Sequence, residues 1–177
     1  SLELSDADSV QCTKLLHIIS DFERISDHAV NILQSAEEID AKKLEFSGDA
    51  KRELSVMMNA VSEIVDLAYD SFVNGNLDSA IQVEPLEEVV DTLKDSIKSK
   101  HIYRLQKGDC TIELGFILND LLTNLERVSD HCSNIAVAVI ESEEGNFDAH
   151  QYLNEVKESG SHNFAQYHAE YCNKYGV

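Results

Sequence analysis

The chain has 177 residues, which suits one compact domain with a sizeable core. Its 43% hydrophobic content, single Pro, seven Gly and lack of Trp favour long helices, while a formal net charge of −19 disfavours nucleic acid, anionic membrane surfaces and direct capture of free phosphate. That charge favours cations or basic protein surfaces, or is simply a solvated face. The longest clean apolar run, Ile135–Ile140, is far short of the roughly 20 residues of a spanning helix, so direct membrane insertion is not expected. The first residues are acidic and polar, unlike a signal peptide. The chain starts without Met, almost inside its first helix, and reads as a piece of a longer protein. Cys12, Cys110, Cys132 and Cys172 show no Cys-x-x-Cys spacing and fit buried thiols in a reducing compartment better than zinc or disulfides.

A first helix is predicted from about Asp6, behind a Ser5 cap, to about Glu38. Its apolar seam, Leu15, Ile18, Phe22, Ile25, Ala29 and Ile32, steps by three and four residues. After Phe46, Ser47 caps a second helix that runs to about Asn74 on Leu54, Met57, Val61, Ile64 and Leu67 and stops at Gly75. A third helix runs from about Asp78 to Gln106, with Val83, Leu86, Val90, Leu93 and Ile97 inward and Pro85 bending its first turns. Gly108 ends it, and Asp109 is expected to cap the fourth. That helix runs to about Ser142 through Leu118, Leu121, Leu125, Val128, Cys132, Ile135 and Val139. Short helices are expected near Asp148–Glu158 and Asn163–Lys174, the second docking by a stripe of Phe164, Tyr167, Tyr171 and Tyr175. Short loops imply antiparallel neighbours, so the predicted fold class is all-α, an antiparallel helical bundle.

Two stretches stand out. Glu23–Ile32 reads ERISDHAVNI and Glu126–Ile135 reads ERVSDHCSNI, seven of ten positions identical at an offset of 103 residues. The matched residues are Glu, Arg, Asp, His and Asn in fixed register, which marks a duplicated unit carrying polar function. Glu23 and Asp27 stand one turn apart on one helix face, with Asn31 a turn further; Glu126, Asp130 and Asn134 repeat the row. The third helix carries a similar pair, Glu87 and Asp91. If the third and fourth helices are antiparallel neighbours, these four carboxylates converge in the groove between them. Like charges at such spacing must take up protons or bind cations, and all-oxygen ligation suits Mg²⁺, Ca²⁺, Mn²⁺ or oxidised iron better than copper or thiolate-bound zinc. A competing reading has Arg24 and Arg127 neutralise the carboxylates as surface ion pairs.

His28 and His131 follow each Asp by one residue, about 100° around the helix, and read as supporting or interhelix hydrogen-bond groups more than as ligands. His17, His101, His150, His162 and His168 read as surface or packing residues. No Glu-x-x-His occurs, against a ferritin-like di-iron oxidase, and no Gly-rich phosphate loop or Gly-x-Ser-x-Gly occurs.

The repeated decapeptides resemble the signature of PhoU domains, whose metal motif is Glu or Asp followed four residues later by Asp. VEPLEEVVDTLK, HIYRLQKGDCT, NLERVSDHCSNIA and FSGDAKREL resemble more closely the cytoplasmic PhoU-like tail of bacterial Na⁺/phosphate cotransporter family proteins. The likeness covers roughly Ser9 to Ile140 and implies two similar three-helix bundles that bind metal clusters and act in phosphate uptake or its regulation, without catalysis. It implies metal ligation by Glu87, Asp91, Glu126 and Asp130 as one complete pair of motifs and by Glu23 and Asp27 as half of another, with Asn31 and Asn134 as further oxygen donors. The cation it implies is divalent or trivalent: iron, Mn, Mg, Ca or Zn. Residues 1–46 then correspond to the last helix of a truncated first repeat, 47–143 to a complete second repeat and 144–177 to a short helical tail. The implied partner is the membrane transporter domain of the same intact protein, with a cytoplasmic location tethered to the inner membrane. Stripped of its own bundle, the first helix is also a candidate surface for a homo-oligomer. The rival readings are a PhoU-type phosphate-signalling regulator of an ABC transporter and sensor kinase, and a metal-free acidic helical interaction scaffold.

Overall fold

The computed structural model describes residues 5–143 and 163–177, and every regular element among them is an α-helix. The order is α1 (Asp6–Ala41), α2 (Gly48–Asn74), α3 (Leu77–Lys107) and α4 (Ile112–Glu143), followed by α5 at 163–175. The helix expected near Asp148–Glu158 lies outside the described residues.

Local chemistry sets the ends. Ser5 and Asp8 form a reciprocal capping box at α1. The Ser47 hydroxyl accepts the Ala50 N–H at α2. At α3 the cap is Asn76, whose side-chain oxygen accepts from Asp78 and Ser79, and Pro85 lies buried inside an unbroken helix. The expected Asp109 cap of α4 is corrected. Thr111 caps α4 instead, its hydroxyl accepting the Leu114 N–H at 3.2 Å. Asp109 is committed elsewhere: its N–H donates to the Arg104 carbonyl while that of Gly108 donates to Leu105, the Schellman closure of α3. Gly108 sits at φ 76 with nothing within 4 Å of an added Cβ, so Gly108→Ala carries backbone strain alone. It is expected to cost about 1 kcal/mol in urea unfolding; a neutral result would mean that the turn relaxes.

Side-chain pairs fix the directions. Arg104 donates two hydrogen bonds to Glu53, and Ser79 donates to Asp70, so α2 and α3 are antiparallel. Ser133 donates to Glu84 and Lys94 pairs with Glu126, so α3 and α4 are antiparallel. Lys14 reaches Glu141 and Lys42 reaches Glu113, so α1 runs antiparallel along α4.

The core lies between α2, α3 and α4. All seven predicted seam residues of α4 are buried, as are Val83, Leu86, Val90, Leu93 and Ile97 of α3. Helix α1 differs. Ile18 is buried and Phe22, Ile25 and Ile32 are partly buried, but Ala29 is exposed and Leu15 is 48% exposed, against expectation. At the repeat offset, Leu15, Ile19 and Leu33 correspond to Leu118, Leu122 and Ala136, which α4 buries. The same stripe is thus covered on α4 and open on α1, because α4 flanks α1 on one side. The cysteines also depart from the all-buried expectation: Cys132 is buried, with its thiol pushed up to about 12 by burial, whereas Cys12 is exposed. All four are free. The aromatic stripe of α5 docks as expected. Tyr171 is buried and donates to Gln82, while Lys174 and Tyr175 bond Glu63 of α2.

Candidate metal centre

Glu87 and Asp91 lie one turn apart on α3, and Glu126 and Asp130 one turn apart on the facing edge of α4. Antiparallel packing brings the two edges close enough for their charges to interact. Glu87 is pushed up to about 7 by burial, then by Asp91, Glu84, Asp130 and Glu88. Asp91 is also raised, by burial first and then by Glu126, with Lys94 opposing. Glu84 and Glu88, which the sequence reading passed over, extend the cluster; their signal was position one turn before Glu87 and beside it.

Two cations answer these carboxylates. Lys94 Nζ lies 2.7 Å from Glu126 Oε1, and Arg127 donates to Asp130 Oδ2 at 3.0 Å. The ion-pair reading of Arg127 therefore holds for the α4 half, while Glu87 and Asp91 keep the repulsion. As the side chains lie, no group of three His, Cys, Asp or Glu among the described residues stands in an arrangement that could hold a metal ion. The donor set is nonetheless all oxygen and over-charged, which fits a hard cation, provided that Lys94 and Arg127 give way to it.

Glu23 and Asp27 are exposed on α1, away from this cluster, as is Arg24. Asn31 and Asn134 work across the α1–α4 contact. His28 Nδ1–H donates to Asn124 Oδ1 at 2.8 Å, and Asn31 donates to the same oxygen at 3.1 Å. His131 Nδ1–H donates to Asp21 Oδ1 at 2.8 Å, and Asn134 donates to it at 3.4 Å. Asp21 and Asn124 are themselves 103 residues apart, so the two halves mirror each other, with the histidine rings stacked 5.6 Å apart at the centre. The histidines are therefore interhelix hydrogen-bond groups. Asp21→Ala, which strips one bond from the part-buried His131 and one from the exposed Asn134, is expected to cost about 1–2 kcal/mol in denaturant unfolding. An unchanged midpoint would show the contact to be passive.

Residues 54–139 match the sequence profile of the PhoU domain. The matched stretch spans most of α2, all of α3 and most of α4, and so holds the whole carboxylate cluster. The chain is 29% identical over 147 residues to the phosphate-specific transport system accessory protein PhoU homolog 1 of Thermotoga maritima, covering 83% of this chain and 62% of that protein. PhoU homologs of Borreliella burgdorferi and Clostridium acetobutylicum are 28% and 26% identical, covering 68% and 70% of this chain and 55% of each relative. The chain thus spans between half and two thirds of the length of these relatives. No solved structure gives a significant match. No described helix is long and apolar enough to cross a membrane.

Proposed function

We propose that this chain is a non-catalytic, cation-binding regulatory module that serves phosphate uptake. The observation that supports it is the repulsive cluster of Glu87, Asp91, Glu126 and Asp130 across α3 and α4, within the stretch that matches the PhoU profile. The printed names of the relatives, accessory proteins of phosphate-specific transport, supply the physiological direction. The four carboxylates would hold a divalent or trivalent hard cation, which supplies charge neutralisation between two helix edges. This chain's own part is to present the oxygens and to let Lys94 and Arg127 swing outward. Glu23 and Asp27 would form half of a second site, completed by another segment or chain.

In finer form, the chain is the cytoplasmic tail of a Na⁺/phosphate cotransporter-like protein, tethered to the inner membrane through its transporter part. The second reading is a PhoU-type regulator of an ABC transporter and sensor kinase, which the names of the relatives favour. The open stripe of α1 supports association of copies through that helix. Elemental analysis of protein purified without chelator tests the cation. Wild type is expected to carry metal, and the Glu126→Gln/Asp130→Asn variant is expected to lack it. A metal-free wild type that also takes up none on dialysis would leave the acidic scaffold reading in its place. A monomer by light scattering at high micromolar concentration would refute association through α1.

A further inference from the structure

Past the carboxylate cluster, the last turns of α3 and the first turns of α4 open into a groove. It holds a cavity of about 390 Å³, within the roughly 300–1,000 Å³ of small-ligand sites. Its two ends differ. Leu105, Ile112 and Phe116 line the outer end, and Ile112 and Phe116 are 71% and 69% exposed, so apolar surface here meets water. Lys94 pairs with Glu126, so Lys98, one turn on, falls beside Asn119 at the inner end. Neither Lys98 nor Asn119 has an ion pair or hydrogen bond among the described residues.

His101 stands between the two ends, 5% exposed, on the same face of α3 as Lys98. Cys110 Sγ lies 3.9 Å from its Nδ1 and 3.8 Å from its Nε2, over the ring face, so neither nitrogen is spent on the thiol. No other hydrogen bond reaches the ring among the described residues. Nε2 faces the gap that Gly115 leaves in the groove wall, where a Cβ would sit 3.0 Å from it. Burial, then the Arg104 charge, hold the imidazole below the usual histidine range. Near neutral pH it is therefore uncharged and keeps one N–H to donate.

Charge selects the sign of the ligand. Residues 98–107 carry Lys98, Lys100, Arg104 and Lys107 and no Asp or Glu, in a chain of net charge −19. Arg104 is bonded to Glu53, and Lys107 lies over the Tyr103 ring, which leaves Lys98 as the unpaired cation of the groove. We propose that this groove binds a single-chain anionic amphiphile of the fatty-carboxylate class, its head at Lys98 and Asn119 and its tail along Leu105, Ile112 and Phe116. The Lys98 ammonium and the Asn119 amide donate to the carboxylate, and the His101 N–H, one turn along, donates to its second oxygen. The tail takes the place of water on the apolar wall. A partner helix, about 10 Å across, would lie on the rim and leave the buried nitrogen unmet. A narrow chain enters the cavity.

Isothermal titration of the whole chain with dodecanoate, kept below its micelle concentration, tests the site. Wild type is expected to bind one dodecanoate saturably and to prefer it to dodecyltrimethylammonium, the reverse of what a net charge of −19 favours by itself. Lys98→Met, at an exposed position that does not threaten folding, should lower the affinity roughly tenfold or more, the worth of a hydrogen bond to a charged group. Lys100→Met, on another face of α3, and Glu126→Gln/Asp130→Asn should bind as wild type does. Those controls separate the site from the basic stretch at large and from the carboxylate cluster. No saturable binding, equal or tighter binding of the cationic amphiphile, an unchanged affinity in Lys98→Met or an equal loss in Lys100→Met would overturn the proposal. So would sedimentation with phosphatidylglycerol vesicles without binding of free dodecanoate, which would make a bilayer the occupant. Self-association that Phe116→Asp abolishes would overturn it as well, by making a second copy the occupant.

Discussion

Replacing Leu86 with Ala is expected to remove about 2–5 kcal/mol of folding stability. Leu86 is fully buried on α3, facing the core that α2, α3 and α4 share. Truncation deletes its contacts and leaves a cavity that rigid helices close poorly. Small domains hold about 5–15 kcal/mol in total, so this one change takes a large share. Urea unfolding should show a lower midpoint with an unchanged slope. The next residue, Glu87, points to the α4 edge, so the same variant should also loosen the carboxylate cluster and weaken any cation response. A loss below about 1 kcal/mol, the low end for a core truncation, would mean that α3 is not seated as described.

Chelator-treated protein is expected to lose stability as pH rises from about 4.5 to about 7, the ordinary and the folded values of Glu87. In that window the folded chain holds a proton on Glu87 that the unfolded chain has already released. The folded state therefore binds more protons, and unfolding becomes easier with each rise in pH. Asp91, raised in the same direction, adds to the fall. The oppositely shifted Asp70, held low first by Ser79 and then by Asn74 and Asn76, acts in more acidic solution and does not mask it. A hard cation takes the place of the proton, so saturating Mn²⁺ or Mg²⁺ should flatten or reverse the slope by mass action. Glu87→Gln should flatten the metal-free slope as well, raise stability at pH 8 and blunt the response to metal. Melting temperatures between pH 5 and pH 8, with and without cation, report all of this. Metal-free stability that climbs through the window would contradict the cluster.

The helices were legible in sequence because their signals are local. Every position named by the three-and-four seam of α4 is buried, and Ser5, Ser47, Gly75 and Gly108 marked the helix ends as read. Asp109 misled because an acidic residue after Gly looks like an N-cap, whereas its N–H was already needed to close α3. Leu15 misled for another reason: periodicity reveals which face is apolar, not whether anything covers it. Non-local facts stayed hidden. Burial of His101 depends on Gly115 leaving space one helix away. The Asp21–His131 bond joins residues 110 positions apart, yet the repeat offset from Asn124 could have pointed to it. Of the candidate site, the α3 and α4 pairs came together as antiparallel packing requires, while the roles of Lys94, Glu84 and Glu88 needed the packed edge to become visible.

The open stripe of α1 has a colloidal consequence. Copies of a chain with net charge −19 repel one another at long range, while Leu15, Ile19 and Leu33 attract at contact. Screening length is about 30 Å at 0.01 M salt and about 3 Å at 1 M, so the repulsion vanishes long before the contact attraction weakens. Buffer conductivity then sets the dispersion of the protein. Solutions stay clear when dilute in salt and turn cloudy as it is added, the reverse of ordinary salting-in.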